Sequence, residues 1–78
     1  MPNLKIITIN KEPAELFKVL KFEGLVESGG MAKLVVGDGR VKVNGIVETR
    51  KRKKLVSGDV IEFNNESYSI LFNNQGDT

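Results

Sequence analysis

The spacing of apolar residues changes once along this chain, near residue 40, and that change restricts the fold more than any other feature. Before residue 40, apolar residues recur near the 3.6-residue period of a helix. From residue 40 the period is two, because Val41 and Val43 alternate with Arg40 and Lys42 as on a half-buried strand. A β-branched run, "LKIITI", precedes the helical part and predicts another strand. We therefore expect an α+β fold in the order strand, helices, strands.

The first helix is predicted over "PAELFKVLKF". Pro13 suits its first turn, where the missing N–H of proline is not needed, and Gly24 ends it. The apolar stripe of this helix consists of Leu16, Phe17 and Leu20, with Val19 as a further candidate.

The second helix is predicted to begin after Ser28, a good N-cap residue, and to stop at Gly37 or Gly39. Its core positions are expected to be Met31, Leu34 and Val35, with Lys33 on the outward side. Only a few residues link the two helices, so they are expected to pack as close neighbours.

Two hairpins are predicted after residue 40. Asn44-Gly45 is a strong signal for a two-residue turn, because both turn positions favour positive φ. That turn pairs Val43 with Ile46 but also places charged residues opposite apolar ones, so either a bulge or a short, irregular second arm is expected. The runs "VIEF" and "YSILF" form the last hairpin across residues 64–66, and residues 73–78 read as a flexible tail.

The composition excludes several classes of function. At 78 residues the chain is one domain, expected over residues 1–72. Cysteine and histidine are both absent, which removes disulfides, the usual zinc sites and the common nucleophile pairs. We expect no catalytic residue, no metal and no cofactor, and hence no enzyme. No apolar run approaches the roughly 20 residues of a membrane helix, so a cytoplasmic protein is expected.

Positive charge is concentrated in one part of the chain. Residues 40 to 54 hold seven of the twelve basic side chains but one of the ten acidic ones. The basic side chains in this stretch are Arg40, Lys42, Arg50, Lys51, Arg52, Lys53 and Lys54. Such polarity favours contact with a polyanion, although a solvated face is the usual fate of a charged run.

The geometry of a strand would divide the basic run. If residues 50 to 54 are extended, Arg50, Arg52 and Lys54 face one way and can share a surface with Arg40 and Lys42. The predicted second helix offers few basic groups for a DNA groove, and most aromatic residues sit at core spacing. A binder of folded RNA that reads phosphates and shape therefore fits better.

Ser28, Gly29 and Gly30 open the second helix. Free N–H groups there could receive a phosphate, whereas the simpler interpretation is that the glycines let the chain turn tightly.

Several uncommon anchors occur in one order along "VLKFEGLVESGGMAKLVVGDGRVKVNGIVETRKRKKLVSGDVIEF". They are Ser28-Gly29-Gly30, Ala32-Lys33, Val41 to Gly45, Glu48, Arg50 and Gly58-Asp59. With these anchors the chain resembles small stand-alone bacterial proteins that carry the ribosomal protein S-four type RNA-binding domain, the αL motif. The resemblance covers roughly residues 14 to 63.

The resemblance implies two packed helices with a small, mostly antiparallel sheet. It also implies non-catalytic binding of structured RNA, often ribosomal RNA. We expect the protein to be a monomer. Carried onto this chain, the RNA surface comprises Lys33, Lys42, Arg50, Lys51, Arg52 and Lys54, and the charge pattern adds Arg40. Many larger members of the family have arginine where this chain has Gly29. The basic segment of this chain is therefore expected to provide more of the contacts with RNA.

A protein-interaction module is the competing class. Its basic face would dock an acidic partner, or the free edge of its first strand would pair with a partner strand.

Overall fold

The computed structural model describes residues 4–73, which form two helices and seven strands. The elements are β1 (Leu4–Ile9), β2 (Ala14–Glu15), α1 (Leu16–Phe22), α2 (Gly29–Gly37), β3 (Lys42–Val43), β4 (Ile46–Val47), β5 (Lys54–Leu55), β6 (Val60–Phe63) and β7 (Glu66–Phe72). Residues 74–78 of the predicted tail lie outside the described residues, as do residues 1–3.

Five strands form one mixed sheet in the order β1-β7-β6-β3-β4. The pairs β7–β6, β6–β3 and β3–β4 are antiparallel, whereas β1 runs parallel to β7. Three of the four strand pairs are therefore antiparallel, in line with the predicted mostly antiparallel sheet, and the β1–β7 pair makes the sheet mixed. Its parallel pair arises because the chain passes through both helices before it returns beside β1, and parallel neighbours require such a crossover.

The Asn44-Gly45 turn forms as predicted, with φ of 53° and 84° at its two positions. Val43 pairs with Ile46, and the second arm is only two residues long, so the short-arm alternative is the correct one. The last hairpin is tighter than predicted, because its turn is Asn64-Asn65 alone and Glu66 already pairs with Phe63.

Helix α1 begins at Leu16 rather than at Pro13. The reason is that Ala14 and Glu15 pair with Leu55 and Lys54 in a separate two-stranded sheet, β2–β5. This pairing attaches the start of α1 to the basic segment of the chain.

Helix α2 begins as predicted, because Ser28 Oγ accepts the backbone N–H of Met31 at 3.1 Å. Its buried face consists of Ala32, Val35 and Val36. The prediction of Met31 and Leu34 as core residues is wrong, since they are 41% and 61% exposed. The buried stripe has the expected i, i+3, i+4 spacing but lies one residue further along the helix.

The helices and one face of the five-stranded sheet share a single apolar core. Leu16 and Leu20 of α1, Val36 of α2, Leu55 of β5 and Ile61 of β6 are fully buried within it. No polar or charged side chain is buried among the described residues. Basic side chains are therefore confined to the surface, where their placement depends on the turns and helix ends.

Candidate nucleic-acid interface

The basic run at residues 50 to 54 is a turn, not an extended strand. The N–H of Lys53 donates to the carbonyl of Arg50 at 3.2 Å, and only Lys54 enters a strand. The strand alternation that would place Arg50, Arg52 and Lys54 on one side therefore does not apply. We call residues 50–54 the basic turn.

The backbone of the basic turn is fixed to the first turn of α1. The N–H of Leu16 donates to the carbonyl of Lys53 at 2.9 Å, and the N–H of Phe17 donates to the carbonyl of Lys51 at 3.1 Å. The first N–H groups of a helix have no acceptors within the helix, so these contacts satisfy groups that would otherwise need another partner. The turn is thus held in place while the side chains of Lys51 and Arg52 stay exposed.

Three cations from different elements surround the ring of Phe17. Lys33 Nζ from α2 lies 4.9 Å from the ring centroid, and Arg52 Cζ from the basic turn lies 5.9 Å from it. Lys18 Nζ from α1 is also 5.9 Å away. Each distance is within the roughly 6 Å range of a cation–π contact. The structure therefore brings together two predicted site residues, Lys33 and Arg52, around a ring that is 9% exposed.

Lys18 is a member of this cluster that the sequence analysis does not predict. The sequence shows that Lys18 follows Phe17 in a predicted helix. It does not show that α2 and the basic turn approach the ring of Phe17.

Arg50 has an acidic partner of its own. Its Nε donates to Glu48 Oε2 at 2.9 Å, and its backbone N–H donates to the same oxygen at 3.0 Å. The hydrogen bonds from Arg50, first that of the guanidinium and then that of the backbone, lower the pKa of Glu48. The carboxylate in turn raises the pKa of Arg50. Arg50 therefore offers less uncompensated charge to a ligand than Arg52 does.

Arg40 and Lys42 also have acidic neighbours. Arg40 Nε is 3.3 Å from Asp38 Oδ2, and Lys42 is directly opposite Glu62 in the sheet register. Lys42 is exposed while its neighbour Val43 is buried, so Lys42 belongs to the face of the sheet that the helices do not cover. Arg40 and Lys42, like Arg50, therefore each have a carboxylate nearby.

The start of α2 opens onto a groove that also reaches the basic turn. Gly29 and Lys54 both line this groove, whose volume is ≈ 1070 Å³. The side chain of Lys21 lies along Gly29, since a Cβ at position 29 would be 3.8 Å from Lys21 Cδ. Ser28 Oγ is engaged by the Met31 N–H, so Ser28 serves as a helix cap.

The described residues hold neither a metal-binding cluster nor a membrane-spanning helix. Residues 4–73 contain no cluster of three or more acidic side chains that could hold a metal ion. Neither helix in that part of the chain is long and apolar enough to cross a bilayer.

Comparison with known families decides the lineage. The model of the S4 domain matches residues 7–71. The chain belongs to the S4 domain family. This match includes the second half of β1 and nearly all of β7, which the motif at residues 14 to 63 does not, so the family relationship reaches both strands of the parallel pair.

Members of the family with known names support this assignment. Escherichia coli (strain K12) YbcJ is 45% identical over 65 residues, which is 82% of this chain and 93% of YbcJ. Bacillus subtilis (strain 168) RlbA, named as a probable ribosome maturation protein, is 39% identical over 56 residues, 72% of this chain and 79% of RlbA. The solution structure of E. coli YbcJ, described as having an αL motif involved in RNA binding, matches with a TM-score of 0.67 and 43% identity, over 91% of each chain. The predicted αL fold is thereby confirmed.

Proposed function

We propose that this protein binds structured RNA, with ribosomal RNA as its target, and that it does so without catalysis. Lys33, Lys51, Arg52 and Lys54 contact phosphates, with Lys18 beside them. Arg40, Lys42 and Arg50 contribute mainly to the long-range field, because each is paired with or faces a carboxylate. The protein acts as a monomer in the cytoplasm.

The observation that carries the proposal is the convergence of Lys33 and Arg52 on Phe17. The two cations come from separate elements and contact one ring, and no carboxylate is hydrogen-bonded to either of them among the described residues. Their charges are therefore available to a polyanion. The fixed backbone of the basic turn reduces the entropy lost on binding. The descriptions of YbcJ and RlbA support RNA and the ribosome as the targets.

A phosphate at the start of α2 is a further part of the proposal. Gly29 leaves the helix end open, and Lys21 lies beside it. Backbone N–H groups and a lysine together suit a phosphate oxygen.

Crosslinking in cells, followed by sequencing of the attached RNA, tests the target. We expect fragments of ribosomal RNA to dominate, and we expect association with ribosomal subunits to disappear after RNase treatment. Partners that survive RNase would instead indicate a protein-interaction module.

A further inference from the structure

Phe22 is an aromatic residue that the core does not use. It is the last residue of α1 and is 76% exposed, the highest fraction among the large hydrophobic residues of the described chain. The buried stripe of α1 runs through Leu16, Val19 and Leu20, and position 22 lies off that stripe. An exposed phenyl ring offers a large, flat apolar surface that a ligand can cover.

The surroundings of Phe22 are a groove that apolar and basic side chains line together. The ring lines the ≈ 1070 Å³ groove together with Ile7, Ile9 and Phe17. The cationic side chains of the groove are Lys11, Lys18, Lys21 and Lys54, and the acidic ones are Glu15 and Glu23. Glu15 is already 3.6 Å from Lys18, so the remaining charge of the groove is positive. A groove lined by apolar side chains and by an excess of lysines complements a ligand that has a flat apolar part and attached negative charges.

The groove is continuous with the proposed RNA surface. Lys54 belongs to the basic turn, and Gly29 is the first residue of α2, yet both line the same groove as Phe22. Lys21, whose side chain lies along Gly29, directly precedes Phe22 in the chain. A nucleotide whose phosphate is held at this end of the surface can therefore place its base in the groove.

We propose that Phe22 stacks on an unpaired base of the bound RNA and gives the protein a preference for RNA with a bulged or looped-out nucleotide. This inference rests on the proposed function. The faces of bases inside a continuous duplex are covered by their neighbours, so a stacking partner must be an unpaired base or an end. Stacking on an aromatic ring accepts any base, which makes the preference one of RNA shape rather than of sequence.

Two RNA hairpins that differ by a single bulged 2-aminopurine nucleotide provide the test. Wild-type protein is expected to bind the bulged hairpin more tightly and to quench its fluorescence. Phe22→Ala is expected to lose roughly 5- to 150-fold in affinity for the bulged hairpin, with little change for the paired one. Phe22→Trp is expected to keep the preference, and Phe22→Leu, which is apolar but cannot stack in this way, to lose it.

The charge-removing variant Lys33→Gln/Arg52→Gln separates this inference from the proposed function. If that variant weakens both hairpins while Phe22→Ala weakens neither, the stacking role is wrong and the RNA-binding function stands. If wild-type protein binds neither hairpin, the RNA-binding function fails and the stacking role fails with it. Loss of RNase-resistant partners in Phe22→Ala, with RNA affinity unchanged, would assign the ring to a protein contact and overturn the proposal.

Discussion

The side-chain amide of Asn44 donates to Asp59 Oδ1 at 3.1 Å, which joins two turns that lie far apart in the sequence. Asn44 Oδ1 also accepts the N–H of Val60 at 2.9 Å, and Asp59 Oδ2 accepts the N–H of Val56 at 3.0 Å. The Asn-Gly turn between β3 and β4 and the Gly-Asp turn before β6 are therefore one hydrogen-bonded unit. This link explains physically why the two anchors appear together in the motif.

Replacing Asn44 tests this unit. Asn44→Gly keeps the positive φ available but removes the amide, and we expect a loss of about 1 to 3 kcal/mol in the free energy of unfolding, measured with urea. Asn64→Gly is the matched control, since Asn64 also has positive φ, at 54°, in a hairpin turn. The free energy of unfolding of Asn64→Gly is expected to stay within about 0.5 kcal/mol of that of wild type. Equal losses in both variants would mean that backbone flexibility, not the Asn44–Asp59 link, causes the change.

The Glu48–Arg50 pair predicts a pH dependence of stability. Because hydrogen bonds from Arg50 lower the pKa of Glu48 in the folded state, the ionised carboxylate stabilises the fold at pH above its ordinary pKa of 4.5. That stabilisation should disappear as the pH falls from about that value through the lowered pKa of the folded state. In Glu48→Gln this contribution is absent, so urea midpoints should fall less steeply with acid than in wild type. If the urea midpoints of the two proteins change with pH in parallel, the Glu48–Arg50 pair does not stabilise the fold.

Phe17 is expected to couple the core to the proposed RNA surface. Phe17→Leu removes a buried ring and should cost about 1 to 2 kcal/mol of stability. It also removes the contacts of Lys33 and Arg52 with the ring, and we expect RNA affinity to fall roughly two- to five-fold. Fluorescence anisotropy with labelled RNA measures the second effect.

Phe63→Leu is the control for that experiment. Phe63 is also buried, and no cation lies over its ring among residues 4–73. Phe63→Leu should lose about as much stability as Phe17→Leu but should keep the RNA affinity of wild type. If both variants weaken RNA binding equally, Phe17 contributes only through stability.

Local features of the fold were predictable from the sequence. The Ser28 cap and the Asn44-Gly45 turn each depend on a few consecutive residues. Serine commonly caps the start of a helix, and Asn-Gly commonly forms a two-residue hairpin turn. The stripe of α2 was misplaced because Met31 and Leu34 have the right polarity and spacing for the core, and only packing against α1 and the sheet selects among such faces.

Non-local features were not predictable. Nothing in "LKIITI" indicates that β1 pairs in parallel with β7. The shape of the basic turn depends on the N–H groups of Leu16 and Phe17, which are distant in sequence. The charge of residues 50 to 54 was therefore recognised, while their arrangement around Phe17 was not.

The salt dependence of RNA affinity tests the central claim most directly, by comparing two variants that each lose two positive charges. Lys33→Gln/Arg52→Gln removes cations of the Phe17 cluster, whereas Arg40→Gln/Lys42→Gln removes cations that lie near carboxylates away from it. If the cluster contacts phosphates, the slope of log affinity against log salt should fall by about 0.7 to 0.9 per lost contact in the first variant and stay near wild type in the second. An unchanged slope in Lys33→Gln/Arg52→Gln, or an equal change in both variants, would contradict the account.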